Sequence, residues 1–134
     1  MDPRINTGIE EILRTAHTVA VVGLSGNPSR TSYGIAVTLQ AYGYEVIPVN
    51  PSIPEWNGLK SWPDLRSVPR HIDIVNVFRR SEFVAAIVDE AIEVGAGVLW
   101  TQLDVVDEAA ALRALSNGMR VIMNRCIAME LAPR

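Results

Sequence analysis

The chain has 134 residues, 49% hydrophobic and 20% charged, which is typical of a single globular domain over residues 1–134 and excludes intrinsic disorder. The net charge of −3 argues against a non-specific nucleic-acid-binding protein, no apolar run could span a membrane, and the first residues lack the pattern of a signal peptide. A single cysteine cannot form an internal disulfide, and no Cys/His cluster indicates zinc. We therefore expect a soluble, cytoplasmic, single-domain protein.

Five short apolar segments, most of them rich in β-branched residues, predict five strands at 19–22, 44–49, 72–78, 97–102 and 120–123. Apolar residues at helical spacing, each followed by a stop signal, predict helices at 32–41, 81–94 and 104–116, after a leading helix at 8–15. We expect a capping box at 7–10 to open the leading helix, and we expect Ser32, Ser81 and Asp104 to be the N-caps of the others.

Strands that alternate with helices predict the α/β class: a Rossmann-like three-layer sandwich in which a mainly parallel five-stranded sheet has helices on both faces. We place the second strand between the first and the third. The crossover at 52–70 contains three prolines and predicts a loop with one short helical turn near 64–67. Pro48 interrupts the second strand and predicts a strand end or a bulge there.

Four arginines follow the ends of predicted strands, where ligands bind in open parallel sheets. Arg30 lies in the loop after the first strand, Arg79 and Arg80 directly after the third, and Arg125 after the fifth. Arginines gathered at one edge of an acidic protein predict an anionic ligand.

The loop at 23–32 is rich in Gly, Ser and Asn, and it joins the first strand to a helix. Free backbone N–H groups and a helix N-terminus are suited to holding a phosphate, although the loop alone fits a plain connection equally well. The dinucleotide fingerprint G-x-G-x-x-G and the Walker pattern are both absent, and Asn50 stands where the former expects an acidic residue. An ordinary NAD enzyme or ATPase is therefore disfavoured.

Several strings resemble the small stand-alone CoA-binding proteins of bacteria and archaea, over nearly the whole chain. They include V-A-V-V-G-L-S at 19–25, N-P-S-R at 27–30, V-I-P-V-N-P at 46–51, V-F-R-R at 77–80, W-T-Q-L at 100–103 and M-N-R-C at 123–126. The family is similar in fold to the CoA-binding domain of the succinyl-CoA synthetase α subunit. The resemblance implies a Rossmann-like sheet that binds coenzyme A through its ADP part.

Carried over by position, the resemblance implies a set of binding residues. The pyrophosphate would lie against the first loop, the adenosine and its 3′-phosphate beside the second strand, and the pantetheine beyond the fourth. The residues are Gly23, Ser25, Asn27, Pro28, Ser29, Arg30, Tyr33, Asn50, Pro51, Phe78, Arg79, Arg80, Gln102 and Leu103.

Four positions depart from the family's usual residues. The family has glycine at Asp104, aspartate at Asn124, lysine at Ala128 and histidine at Leu131. The missing lysine removes an anion contact, and Asp104 adds a carboxylate to the anionic ligand's edge.

Some residues leave two interpretations open. Cys126 fits a mixed disulfide with a thiol ligand, or the favoured role of a small packing residue. Trp56 and Trp62 fit adenine stacking, or the favoured packing over the sheet. His17, His71, Arg66, Arg70 and Arg134 are expected at the surface, the histidines away from the ligand edge.

No nucleophile–base pair, paired carboxylates or metal ligands can be assembled from the residues at the ligand edge. We therefore favour a non-catalytic protein that binds coenzyme A or an acyl-CoA. The alternative is an enzyme or a redox or regulatory module that acts on an acyl-CoA or nucleotide, with a partner chain where one is required.

Overall fold

A computed structural model describes residues 1–132; Arg134, expected at the surface, lies outside this range. The strands of the main sheet are β1 (Thr18–Val22), β2 (Glu45–Val49), β5 (Ile74–Val77), β6 (Val98–Thr101) and β7 (Arg120–Ile122). The helices are α1 (Ile9–Thr15), α2 (Thr31–Ala41), α3 (Val84–Glu93), α4 (Glu108–Ser116) and α5 (Ile127–Leu131). The predicted strands and four helices are confirmed, with bounds that differ by a few residues.

All neighbouring strands of the sheet are parallel, in the order β2-β1-β5-β6-β7. One apolar core joins the sheet to α3 and α4, and a second core joins the opposite face to α1, α2 and α5. The predicted Rossmann-like sandwich is confirmed. The predicted place of the second strand is wrong: β2 lies at the edge, and β1 contacts β5 directly.

Pro48 lies inside β2, neither at a strand end nor in a bulge, because β2 is an edge strand. Val49 on one side of it accepts the hydrogen bond from Gly23 after β1, while the carbonyl of Pro48 accepts one from Trp62 on the outer side. The ring nitrogen of Pro48 therefore faces away from β1, where no sheet hydrogen bond is lost.

The crossover after β2 contains an antiparallel hairpin of β3 (Glu55–Trp56) and β4 (Leu59–Lys60), which the sequence did not predict. Trp56 is 2% exposed in the core beneath α2, while Trp62 packs against the other core, so packing is confirmed as the role of both indoles. The single turn predicted near 64–67 is present as a hydrogen-bonded turn that is not part of a helix, because Val68 donates its N–H to the carbonyl of Leu65 (3.2 Å). This segment forms a hydrogen-bonded turn in which Asp64 accepts the N–H of Ser67.

The predicted N-caps are wrong, because the serines and Asp104 bond elsewhere. Ser32 Oγ accepts the N–H of Ser25, and Ser81, in a 3₁₀ turn at Ser81–Phe83, accepts the N–H of Val106. Asp107 caps α4 by accepting the N–H of Ala110.

The remaining predicted caps also differ. The capping box before α1 does not form: Thr7 donates to the carbonyl of Arg4, and the N-cap is Gly8. Asp104 adopts a left-handed conformation (φ 69°), and its N–H bonds to the side chain of Asn124, which is also left-handed (φ 61°).

The edge opposite the carboxyl ends of the strands carries an Asp73 carboxylate that accepts the N–H groups of His17 (2.7 Å) and Thr18 (3.0 Å). Burial alone would raise the pKa of Asp73, but these bonds, together with nearby His71, hold it below its usual range. Both histidines are exposed at this edge, as predicted. Among the helices within residues 1–132, none combines the length and hydrophobicity needed to cross a membrane.

Candidate functional site

The candidate site is a cleft at the carboxyl ends of β1 and β5. After β1 the chain turns to α2 on one face of the sheet, and after β5 it turns to α3 on the other. The two connections therefore diverge at the ends of two adjacent strands. The strand ends themselves are joined, since Phe78 donates its N–H to the carbonyl of Val22 (2.9 Å). Such a switch point is where open α/β sheets bind their ligands.

The cleft has two chambers that share Gly23, Arg30 and Phe78. The larger has a cavity volume of about 610 Å³ and opens toward β2 and the start of α3. The smaller, about 330 Å³, opens toward the first turn of α2. An elongated anionic ligand fits this shape better than a compact one.

Gly23 has a backbone that only glycine suits, for two reasons. Its φ is 87°, in the left-handed region. In addition, a Cβ placed here would lie 3.0 Å from Cδ of Arg79 and 3.3 Å from the carbonyl carbon of Phe78. Glycine therefore allows the β1 loop to approach the β5 loop closely and leaves room for the stem of Arg79.

Four N–H groups in the loop after β1, those of Ser25, Asn27, Ser29 and Arg30, are bonded within the loop and the start of α2, which corrects the expectation that they are free. Those of Leu24 and Gly26 have no acceptor within residues 1–132. Asn27 accepts the N–H of Ser29 with its side chain and that of Arg30 with its carbonyl. Ser25 accepts the N–H of Asn27. These bonds restrain the loop and occupy four of its backbone donors.

The N–H groups of Thr31 and Ser32, in the first turn of α2, have no hydrogen-bond acceptor within residues 1–132. Both residues line the smaller chamber. The positive end of the helix dipole adds to these two donors. The free backbone donors expected in the loop are therefore found at the start of α2.

Arg79 is half-buried, and its guanidinium lies 4.1 Å above the ring of Phe83. Arg80 is 5.6 Å from the same ring but is bound to Glu82, and that ion pair is largely exposed. Arg79 and Arg30 have no carboxylate partner among residues 1–132. The cleft therefore contains two arginines whose charge no carboxylate of residues 1–132 neutralises.

The carboxylates at the larger chamber do not oppose this charge directly. Glu90 accepts the N–H of Leu65 (3.0 Å), and Asp64 accepts the N–H of Ser67 (2.8 Å). Both carboxylates accept backbone N–H groups of the crossover segment, and the bond to Glu90 fixes that segment against α3.

Asn50 links two loops of the cleft. Its Nδ2 donates to the carbonyl of Leu24 (2.9 Å), while its Oδ1 accepts the N–H of Ser52 (2.8 Å). The side chain therefore holds the β1 and β2 loops at a fixed separation.

Nine of the fourteen predicted binding residues line the two chambers: Gly23, Ser25, Ser29, Arg30, Asn50, Pro51, Phe78, Arg79 and Arg80. Asn27 and Pro28 belong to the loop after β1 but line neither chamber. Tyr33 donates to Asn57 of the hairpin (2.8 Å) and stacks edge-on against Trp56.

Gln102 and Leu103 follow β6 outside both chambers. Gln102 is 9% exposed, and its Oε1 is buried without a hydrogen-bond partner, whereas Leu103 is exposed.

Sequence reasoning missed one wall of the larger chamber. Pro63, Leu65, Phe83 and Ile87 form it together with Glu90. Phe83 and Ile87 are one helical turn apart, which could have indicated that they share a face. Pro63 and Leu65 reach this wall because the crossover passes around the edge strand β2, and a local sequence pattern cannot predict that path.

A second groove, about 710 Å³, runs between α1 and α5, but it suits an anion poorly. Glu10, Glu11 and Glu130 line it. Residues 1–132 contain no cluster of side chains that could hold a metal ion. Cys126 lies before α5, half-buried against the core that α5 covers, which agrees with a packing role.

Residues 17–132 match the family described as CoA binding domain. An uncharacterized protein of Bacillus subtilis, YneT, is 45% identical over 119 residues, covering 89% of this chain and 88% of that protein. A solved structure of a hypothetical protein from Pyrococcus horikoshii superposes with a TM-score of 0.89 at 32% identity, covering 97% of this chain and 95% of the other.

A larger protein is also related. The alpha subunit of an ADP-forming acetate–CoA ligase of Pyrococcus furiosus is 28% identical over 120 residues, covering 81% of this chain. The match covers only 26% of that subunit. The relationship therefore concerns one region of the ligase and not its whole length.

Proposed function

The chain belongs to the CoA-binding domain family, and from that premise we propose that it binds coenzyme A or an acyl-CoA without catalysing a reaction on it. Residues 1–134 act as one domain in this proposal, and the ADP part of the ligand occupies the cleft at the ends of β1 and β5.

The smaller chamber holds the pyrophosphate. The N–H groups of Thr31 and Ser32 donate to its oxygens, and Arg30 at the shared wall adds a full positive charge. Ser25 and Ser29 supply hydroxyl groups at the same wall.

The larger chamber holds the adenosine and its 3′-phosphate. Its apolar wall suits the adenine ring, and Arg79 and Arg80 stand where a second phosphate group needs positive charge. By analogy with the family, the pantetheine passes Gln102 and Leu103, which lie outside both chambers.

The observation that carries the proposal is that Arg79, which lines the cleft, has no carboxylate partner within residues 1–132. A half-buried guanidinium without a carboxylate partner costs desolvation free energy unless a ligand supplies the opposite charge. Six other arginines in residues 1–132 have carboxylate partners, namely Arg4, Arg66, Arg70, Arg80, Arg113 and Arg120.

Binding without catalysis is proposed because the described residues that line the cleft include no nucleophile beside a base. Asp64 and Glu90 bond to backbone N–H groups, and Cys126 does not line either chamber. An activated nucleophile needs a base within hydrogen-bond reach.

Isothermal titration calorimetry with CoA, dephospho-CoA and NAD tests the proposal at one ionic strength. CoA is expected to bind most tightly, dephospho-CoA more weakly because it lacks the 3′-phosphate, and NAD most weakly. Tighter binding of NAD than of CoA would overturn the proposal, and equal binding of CoA and dephospho-CoA would remove the assigned role of Arg79.

A further inference from the structure

The wall of the larger chamber that precedes and includes α3 changes character along its length. Phe83, Ile87 and Glu90 recur at helical spacing, so they share one face, and all three line the chamber. Arg79 lies at the start of this wall, with its guanidinium 4.1 Å from the ring of Phe83. Glu90 lies two turns after Phe83, about 10 Å farther along the helix axis. The wall therefore runs from a cation, over apolar side chains, to a carboxylate.

The side chain of Glu90 is held in place and still has one oxygen available to a ligand. Its Oε1 accepts the N–H of Leu65 (3.0 Å), which attaches the half-buried side chain to the crossover segment. Its Oε2 has no hydrogen-bond donor and no ion-pair partner within residues 1–132. An ionised carboxylate accepts hydrogen bonds and donates none. The chamber therefore presents a fixed acceptor at the end opposite Arg79.

We propose that Glu90 selects the base of the ligand, by accepting a hydrogen bond from the exocyclic amino group of adenine. The inference rests on the proposed function, which places the adenosine and its 3′-phosphate in this chamber. With the phosphate at Arg79 and the purine ring against Phe83 and Ile87, the far edge of the base meets Glu90. The phosphate does not take that end of the chamber, because the carboxylate would oppose its charge.

Purine bases differ in hydrogen bonding at the edge that meets Glu90. Adenine has an amino group there, which is a donor, whereas hypoxanthine has a carbonyl oxygen at the same position, which is an acceptor. A carbonyl oxygen against the carboxylate leaves two acceptors without a donor, which costs free energy in a partly buried site. A site built to bind a ligand N–H strongly rejects the analogue that lacks it. Glu90 therefore favours a 6-aminopurine over a 6-oxopurine.

Asp64, the other carboxylate of the larger chamber, is less suited to this role. Its Oδ1 accepts the N–H of Ser67 within its own turn (2.8 Å). It belongs to the crossover and not to the helical face that carries Phe83 and Ile87. Asp64→Asn should therefore change the affinity for ligands with either base alike.

Isothermal titration calorimetry with CoA and deamino-CoA, in which hypoxanthine replaces adenine, tests the role of Glu90. The parent is expected to bind CoA about tenfold to a hundredfold more tightly than deamino-CoA. Glu90→Gln can still accept the N–H of Leu65 through its amide oxygen, while its NH₂ group presents a donor to the base. The preference for CoA should therefore disappear or reverse. Glu93→Gln is the matched control, because Glu93 lies on the same helix, is exposed, binds Arg66 and does not line the chamber.

The ratio of the two affinities is measured within each variant, so a general weakening of binding does not change it. Equal binding of both ligands by the parent would overturn the role of Glu90, whatever the stability of the variants, and would leave the proposed function standing. A parent-like ratio in Glu90→Gln, or a ratio lost in Asp64→Asn instead, would also overturn it. Failure of the parent to bind either ligand would overturn the proposed function and this inference together.

Discussion

Arg79→Ala removes the guanidinium that we propose to bind a phosphate group of the ligand. A charge-assisted hydrogen bond to a phosphate contributes about 1.5–3 kcal/mol, so CoA affinity should fall roughly tenfold to a hundredfold. The fold should lose less, because the side chain is half-buried and its stacking on Phe83 contributes about 0.5–1 kcal/mol. Arg79→Lys keeps the charge without the planar fork and should lie between the parent and Arg79→Ala.

Calorimetric titration of these variants with CoA and dephospho-CoA is the assay, and thermal unfolding monitors the fold. Arg79→Ala should lose less affinity for dephospho-CoA than for CoA if Arg79 contacts the 3′-phosphate. Arg80→Ala should show a smaller effect, because Arg80 is exposed and bound to Glu82. Arg14 on α1 also lacks a carboxylate partner within residues 1–132 but lies outside the cleft, so Arg14→Ala is the matched control. Parent-like CoA binding by Arg79→Ala would refute the charge argument.

Gly23→Ala should weaken CoA binding at least as strongly as Arg79→Ala, since the new Cβ lies 3.0 Å from the Arg79 stem and the left-handed backbone is strained; calorimetry and thermal unfolding measure both effects. Asn124→Ala should lower the free energy of unfolding by about 2 kcal/mol, because it loses the bond to Asp104 and keeps a left-handed backbone, whereas Asn124→Gly should recover part of the loss in denaturant unfolding. Asp73→Ala should be about 2 kcal/mol less stable than the parent at neutral pH, because two backbone N–H groups lose their acceptor. Since the folded pKa of Asp73 is lowered, this gap should be complete above its ordinary value of 3.8 and close as pH falls through the folded pKa; a gap that widens in acid would contradict the assignment. Acetyl-CoA incubated with the isolated chain should not be hydrolysed, and turnover detected by thiol release would disprove the absence of catalysis.

The order of strands and helices could be predicted because apolar runs and helical spacing are local signals. The position of β2 in the sheet could not be predicted in this way, because a local pattern does not show on which side of β1 the strand pairs. Pro48 carried a usable clue: a proline within a strand indicates an edge position, and β2 is the edge strand.

Helix starts were predicted less well than helix bodies, because a serine near a helix start has several acceptors and donors to choose from. Ser32 bonds back to the β1 loop, and Ser81 bonds across to the segment before α4. The bonded residues are 7 and 25 positions apart in the sequence, and a local capping rule cannot anticipate such bonds.

The arginines of the candidate site could be predicted from their place after β1 and β5, since the carboxyl ends of parallel strands share an edge. Which arginine is neutralised by a neighbouring carboxylate could not be predicted. Arg79 and Arg80 are adjacent in sequence, yet only Arg80 is bound to Glu82. This difference follows from the 3₁₀ turn after Arg80, which the helical pattern alone did not reveal.

The most direct measurement of the central claim is a two-dimensional NMR titration of the labelled protein with CoA. The account predicts the largest amide shifts at Thr31 and Ser32, with smaller shifts at Gly23 and Arg79, and little change at Asp73 on the opposite edge. Largest shifts in the groove between α1 and α5, with the amides at the start of α2 unmoved, would contradict it.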